Sequence, residues 1–278
     1  MTRTPILAIA YDFDGTLSPG SMQEHSFIPE IGEDPATFWT RSNAEAARLG
    51  ADRTLIYMHH MVLAAERADK PFQRRHIRAH GQTVSFFPGV EGWFDRVNAY
   101  GAALGFEVRH FVISSGLREM VLGTSIGDRF AEVFACEFKY DANDVPVWPA
   151  LAVNYTTKTQ FLFRINKQAL DLSDDRAVND YVPEDERPVP FRNMIFIGDG
   201  ETDVPCMRTV KANGGVSIAV HAPDDAKGAA TAERLTAQDR VQIACPADYT
   251  DGSPLDVYVR AAIDRMAAVE RLKALERG

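Results

Sequence analysis

Two carboxylates, Asp12 and Asp14, stand two residues apart at the end of the apolar run Ile6-Leu7-Ala8-Ile9-Ala10-Tyr11, and a Gly15-Thr16 turn follows at once. Carboxylates this close repel each other unless a shared proton or a cation relieves them. An all-oxygen donor set suits a hard ion, so Mg²⁺ is the expected third member. The same Asp-x-Asp-Gly string also suits a plain surface turn, where Asp and Gly serve only backbone geometry. Recurrence of matching groups further along separates the two readings. Ser114-Ser115-Gly116 closes a second apolar run, Lys158 opens a helical stretch, and Gly198-Asp199-Gly200-Glu201-Thr202-Asp203 closes a third. Taken singly, the serines read as a strand-to-helix turn with a capping hydroxyl. Lys158 reads as a solvated helix residue, and the Asp199 segment as a loop. Taken in order, all four fall at strand ends or helix starts, which an open α/β sheet gathers at one rim.

The elements that would hold these groups alternate. Apolar runs at Ile6–Tyr11, Glu107–Ile113, Asn193–Ile197, Val216–Val220 and Arg240–Ala244 read as core strands, with a shorter one near Glu132–Phe138. Helical patterns lie between them, from Val90 to about Gly101, from Leu117 onward, from Lys158 to about Leu170, and from Asp256 to about Glu276. Strands alternating with helices predict an α/β fold, a doubly wound, mostly parallel Rossmann-like sheet. From about Met22 to Phe86 the strand pattern disappears and helical spacing takes over, entered through the Ser18-Pro19-Gly20-Ser21 break. This predicts a core of residues 1–18 and 88–278 with a helical cap of residues 19–87 inserted after the first strand. The acidic, proline-containing stretch Asp171–Pro190 reads as a surface excursion.

Composition narrows the function. The chain has 278 residues, 45% hydrophobic and 25% charged, as in ordinary globular proteins. A net charge of −9 with no long Lys/Arg stripe argues against a nucleic-acid partner. Cys136, Cys206 and Cys245 are scattered, forming neither a disulfide framework nor a zinc pattern. The first apolar run is too short for a secretory signal and ends in a charge, and no other stretch reaches the length of a membrane span. A cytoplasmic protein with no membrane partner is expected. His59 and His60 are adjacent, so they point to different faces of a helix and lack the i, i+4 spacing of a metal pair. Glu24, Arg53, Arg67, Arg74 and Arg75 in the insert read as solvated charges.

Asp12-Phe13-Asp14-Gly15-Thr16, Ser114-Ser115-Gly116, Lys158 and Asp199 through Asp203 together resemble the four ordered motifs of the haloacid dehalogenase (HAD) superfamily. An Asp two residues after the first argues for its phosphatase branch, and an insert after the first strand is similar to the layout of phosphoserine phosphatase-like members. The resemblance implies a Mg²⁺-dependent phosphatase that hydrolyses a small phosphomonoester through a phospho-aspartate. Asp12 would be the nucleophile and Asp14 the acid and base. Ser114, with the N–H groups of Ser115 and Gly116, would bind phosphate, and Lys158 would neutralise charge. Asp12, the backbone carbonyl of Asp14, and Asp199 would hold Mg²⁺, with Thr16, Glu201 and Asp203 behind them. A phosphotransferase or mutase of the same superfamily is the alternative enzyme, and a non-catalytic phosphate-binding regulatory protein the alternative outside enzymes.

Overall fold

The computed structural model describes residues 4–277. Residues 1–3 and 278 of the expected core lie outside the described residues. Strand β1 (Ile6–Tyr11) is buried along its whole length, as an inner strand of a parallel sheet must be. Four helices follow: α1 (Phe27–Glu30), α2 (Pro35–Leu49), α3 (Arg53–Arg67) and α4 (Arg74–His80). Asp34 caps α2 by accepting the Thr37 N–H at 3.0 Å, with Pro35 at the first helical position, and Gly50 ends the helix in the left-handed region. Asp52 caps α3 through the N–H groups of Thr54 and Leu55.

Alternation resumes with α5 (Val90–Ala103), β2 (Glu107–Leu117), α6 (Arg118–Gly123), β3 (Glu132–Tyr140) and β4 (Pro146–Leu151). It continues through α7 (Lys158–Lys167), α8 (Asp175–Asn179), β5 (Met194–Gly198), α9 (Val204–Ala212), β6 (Val216–His221), α10 (Ala226–Ala237), β7 (Ile243–Pro246) and α11 (Pro254–Arg277). The sheet runs in the order β4-β3-β2-β1-β5-β6-β7, and every pair is parallel except β3 with β4. This is the doubly wound α/β fold expected from the sequence. The strand order reverses direction at β1, so the crevice beyond the carboxyl ends of β1 and β5 is the switch point where such sheets bind ligands.

Three readings of the sequence need correction. The antiparallel strand β4 was not foreseen, because Pro146 and Pro149 argue against a strand; at the edge of a sheet the missing N–H groups cost nothing in pairing. The last strand begins at Ile243, because α10 ends at Ala237 in a turn in which the Arg240 N–H bonds the Leu235 carbonyl at 2.9 Å. The stretch 171–190 is not a bare excursion. It contains α8, and basic residues of α7 hold it: Arg164 donates to the carbonyls of Ala169 and Asp171, Lys167 to those of Val178 and Asp180.

Beneath the carboxyl end of β1 runs a chain of buried polar groups. Trp93 Nε1–H donates to the Tyr11 hydroxyl (2.8 Å), which donates to His110 Nδ1 (2.9 Å), and His110 Nε2–H donates to Asn98 Oδ1 (2.9 Å). The direction of donation requires a neutral imidazole, and burial pushes the His110 pKa down to about 3. An unfolded chain takes up a proton near pH 6.5 that the folded chain refuses. Stability is therefore complete above that pH and falls as pH drops toward 3. At pH 5 the loss is about 2 kcal/mol. Urea unfolding at pH 7 and pH 5 checks this: His110→Gln is expected to flatten the difference, and an unchanged difference would place the acid sensitivity elsewhere. Among the described residues, no helix is long and apolar enough to cross a membrane.

Candidate active site

Asp12 follows the last residue of β1, and its backbone N–H still reaches across to the Ile197 carbonyl of β5 at 2.9 Å. Its Oδ1 accepts the Phe13 N–H at 2.7 Å, which fixes the carboxyl plane and turns Oδ2 toward Lys158. Lys158, the first residue of α7, is completely buried. Its Nζ lies 2.8 Å from Asp12 Oδ2 and 2.7 Å from Asp203 Oδ1. Asp199 stands just beyond β5, and Gly198 lets Asp203 fold back over the strand end, since a Cβ there would sit 2.5 Å from Asp203 Oδ2. One oxygen from each of Asp12, Asp199 and Asp203 falls within 4.8 Å of the others.

Three carboxylates therefore gather beside one ammonium, which pairs directly with two of them, Asp12 and Asp203. Burial pushes Asp203 up to about 6, helped by the Asp12 charge and opposed by Lys158. Burial, with the charges of Asp203 and Asp12, also raises Asp199 well above the usual carboxylate range. Burial alone would lower the Lys158 ammonium, but Asp12 and Asp203 outweigh it and hold the pKa above its ordinary value. The excess of negative charge and the all-oxygen donor set fit a hard divalent cation such as Mg²⁺. Gly15 makes room for that arrangement. It sits at φ +75°, and a Cβ there would collide with the Asp199 carboxylate.

Asp14 is set apart from this cluster. Its Oδ1 accepts the Met22 N–H at 2.9 Å, and burial, then the neighbouring Asp12 charge, pushes its pKa up to about 8. Asp14 is thus held protonated near neutrality, while Asp12, two residues before it, lies against the Lys158 ammonium. Thr16 is buried in the same loop, its carbonyl accepting the Tyr249 hydroxyl at 2.9 Å.

The serine motif is not the start of a helix. β2 continues through Leu117, and its ladder with β3 breaks between Ile113 and Leu117, so Ser114 to Gly116 form a bulge. Bulges re-aim side chains beside active sites. Here the Ser114 Oγ accepts the Gly116 N–H at 3.0 Å, and the Leu117 N–H faces Met22 Sδ. The Gly116 N–H expected to face a ligand is therefore already engaged. Glu201 does not join the cluster: its side chain is 72% exposed and pairs with Arg234.

A cavity of about 470 Å³ brings the remaining groups together, lined among others by Asp12, Asp14, Ser114, Ser115, Asp199 and His221. A second cavity, of about 630 Å³, shares Asp14 and Ser115 with it and extends beneath the helices of the insert. Residues the sequence reading passed over line this second space: Gln23, Trp39, Tyr57 and Asn154, together with Arg53. Of these only the cap at Asp52, next to Arg53, left a legible local signal, an Asp just ahead of a helical run. His60 is buried and paired with Glu45 at 2.6 Å, while His59 is exposed, so the two histidines form no joint site.

A parallel sheet with an acidic cluster at its switch point, a buried lysine and a polar bulge defines a class of α/β hydrolases. The chain belongs to the haloacid dehalogenase-like hydrolase family, whose model matches residues 9–208. An uncharacterized protein of Borreliella burgdorferi is 27% identical over 288 residues, covering 94% of this chain and 98% of that one. A HAD family hydrolase from Salmonella enterica subsp. enterica serovar Typhi is similar in structure, with a TM-score of 0.54 at 17% identity over 77% of this chain. The match spans 62% of the Salmonella chain. A substrate-bound phosphoserine phosphatase aligns with a TM-score of 0.55 at 14% identity over 87% of this chain and 94% of its own. At these identities the likeness is one of fold.

Proposed function

We propose that the protein is a Mg²⁺-dependent phosphatase that hydrolyses a small phosphorylated metabolite through a phospho-aspartate. One observation carries the reading: Asp12 is pinned against Lys158 at 2.8 Å while Asp14, two residues on, is kept protonated toward pH 8 in the same cavity. A leaving-group acid must stay protonated, which the burial of Asp14 favours, and the ammonium beside Asp12 holds its carboxyl in place for attack.

In the first step Asp12 Oδ attacks phosphorus, the P–O bond to the leaving group breaks, and Asp14 gives its proton to the departing oxygen. In the second, water attacks the same phosphorus, Asp14 takes the water's proton, and the acyl phosphate opens to return Asp12. Ser114, already accepting the Gly116 N–H, keeps its own O–H to donate to a phosphoryl oxygen. Lys158 holds Asp12 in place and offsets charge on the transferring group. Mg²⁺, when bound, would be held by Asp12, Asp199 and the Asp14 carbonyl with Asp203 behind or among them, and would supply positive charge against the phosphoryl oxygens.

Residues 19–87 act as the cap over a core of residues 1–18 and 88–278. α4 is pinned to α6, where Gly123 lets the Arg78 carbonyl approach too closely for any Cβ, while α2 and α3 lie over the larger cavity. That cavity receives the leaving group, and its volume suits a small metabolite. Three free, buried thiols fit a reducing cytoplasm.

Phosphate release from a panel of small phosphomonoesters, with Mg²⁺ and with EDTA, tests the proposal. Release that needs the metal is expected. Transfer of phosphate to a second metabolite without release would favour the phosphotransferase, and binding without turnover the regulatory protein.

A further inference from the structure

The larger cavity is walled on the insert side by Tyr57 of α3, whose hydroxyl does not face the cavity's contents. It donates to the Ser115 carbonyl at 2.5 Å, across the boundary between the insert and the sheet. The Cys136 thiol donates to the same oxygen at 3.3 Å, and its sulfur accepts the Val153 N–H at 3.2 Å. The Ser115 carbonyl and the Gly116 N–H are two ends of one rigid peptide plane. Tyr57 grips one end, and the other donates to Ser114 Oγ at 3.0 Å. Fixing the plane fixes the lone pair that Ser114 uses to accept, and so fixes where its O–H can point.

Helix α3 is tied to the core a second time. The Asp52 cap accepts Asn154 Nδ2 at 2.7 Å through the oxygen its helix does not use. Asn154 sits ahead of α7, the helix that begins at Lys158. The position of α3 is thus reported to both flanks of the site at once.

We propose that Tyr57 is a positioning residue that orients the Ser114 hydroxyl through the 115–116 peptide, so that the phosphate-binding group is set only when the insert is seated on the sheet. The inference rests on the reading of Ser114 as the phosphate-binding serine. With Tyr57 withdrawn, the Ser115 carbonyl keeps only the weaker thiol donor, the plane is free to rotate, and Gly116 releases Ser114.

A double-mutant cycle tests this, read by calorimetric binding of inorganic phosphate in the presence of Mg²⁺ and by steady-state kinetics. Tyr57→Phe keeps the ring and its packing and removes one hydrogen bond, so phosphate affinity is expected to fall about 5- to 10-fold. KM is expected to rise by a similar factor with kcat nearly unchanged. In a Ser114→Ala background the same substitution is expected to change neither, because there is no hydroxyl left to orient. An equal loss in both backgrounds would overturn the inference, since Tyr57 would then act through general packing. Phosphate binding needs no turnover. A wild-type protein that hydrolyses nothing, yet binds phosphate with this non-additive pattern, would uphold the inference while sinking the hydrolase reading.

Discussion

Lys158→Met is expected to lower turnover by about 10²- to 10³-fold while raising the affinity for Mg²⁺. The two effects have one origin. Nζ lies within 2.8 Å of Asp12 and 2.7 Å of Asp203 in a place closed to water, so its charge is scarcely screened. Methionine fills nearly the same volume but leaves the carboxylates facing one another. Removing one partner of a buried charge pair costs roughly 3–5 kcal/mol, because the groups left behind are uncompensated. The metal-free variant should therefore melt well below wild type, and Mg²⁺ should raise its melting temperature by more than it raises that of wild type. Thermal melts with and without Mg²⁺, beside kcat, check both halves. Equal turnover and an equal response to Mg²⁺ would make Lys158 a spectator.

Asp12→Asn is expected to abolish phosphate release, by at least about four orders of magnitude, with little change in the fold. An amide oxygen can still accept the Phe13 N–H that Asp12 Oδ1 accepts at 2.7 Å, so the loop after β1 keeps its anchor. Lys158 keeps Asp203 as a partner at 2.7 Å. In the proposed two-step route a neutral amide cannot form the acyl phosphate, so that route would close at its first bond. Phosphate release under the conditions found best for wild type, with circular dichroism as the check on folding, is the measurement. Substantial residual release from a well-folded variant would place the nucleophile elsewhere.

The parts of this protein that were legible in its sequence are those whose chemistry is local. β1 could be read because an unbroken apolar run has no place outside a buried strand, and Asp12 and Asp14 because two carboxylates at its end demand an explanation. The order of motifs then placed Ser114, Lys158 and Asp199 on one rim, which is where the sheet puts them. What could not be read depends on contacts between distant segments. Asp203 bonds Lys158 across 45 positions, and nothing near it in the chain distinguishes it from Glu201, which turns outward to Arg234. Tyr57 looks like any aromatic on an apolar helix face until Ser115 is set beside it, 58 positions on. The bulge at Ser114 is a matter of register with β3, and a string that ends in Ser-Ser-Gly fits a helix start equally well. β4 was hidden by its prolines, which bar a central strand but not a strand at the rim.

The central position of β1 also bears on how the chain is made. Its neighbour β2 is synthesised only after residues 12–106, and its other neighbour, β5, only after a further stretch, residues 118–193. For that interval one side of a fully apolar strand has backbone groups with no mate, the template on which strands of separate chains join. Asp199 and Asp203 arrive with β5, so a ribosome-bound fragment ending before it carries Asp12 without these two acidic partners. The acidic cluster is thus completed in the same docking event that gives β1 its second neighbour, and β6 and β7 extend the sheet afterwards.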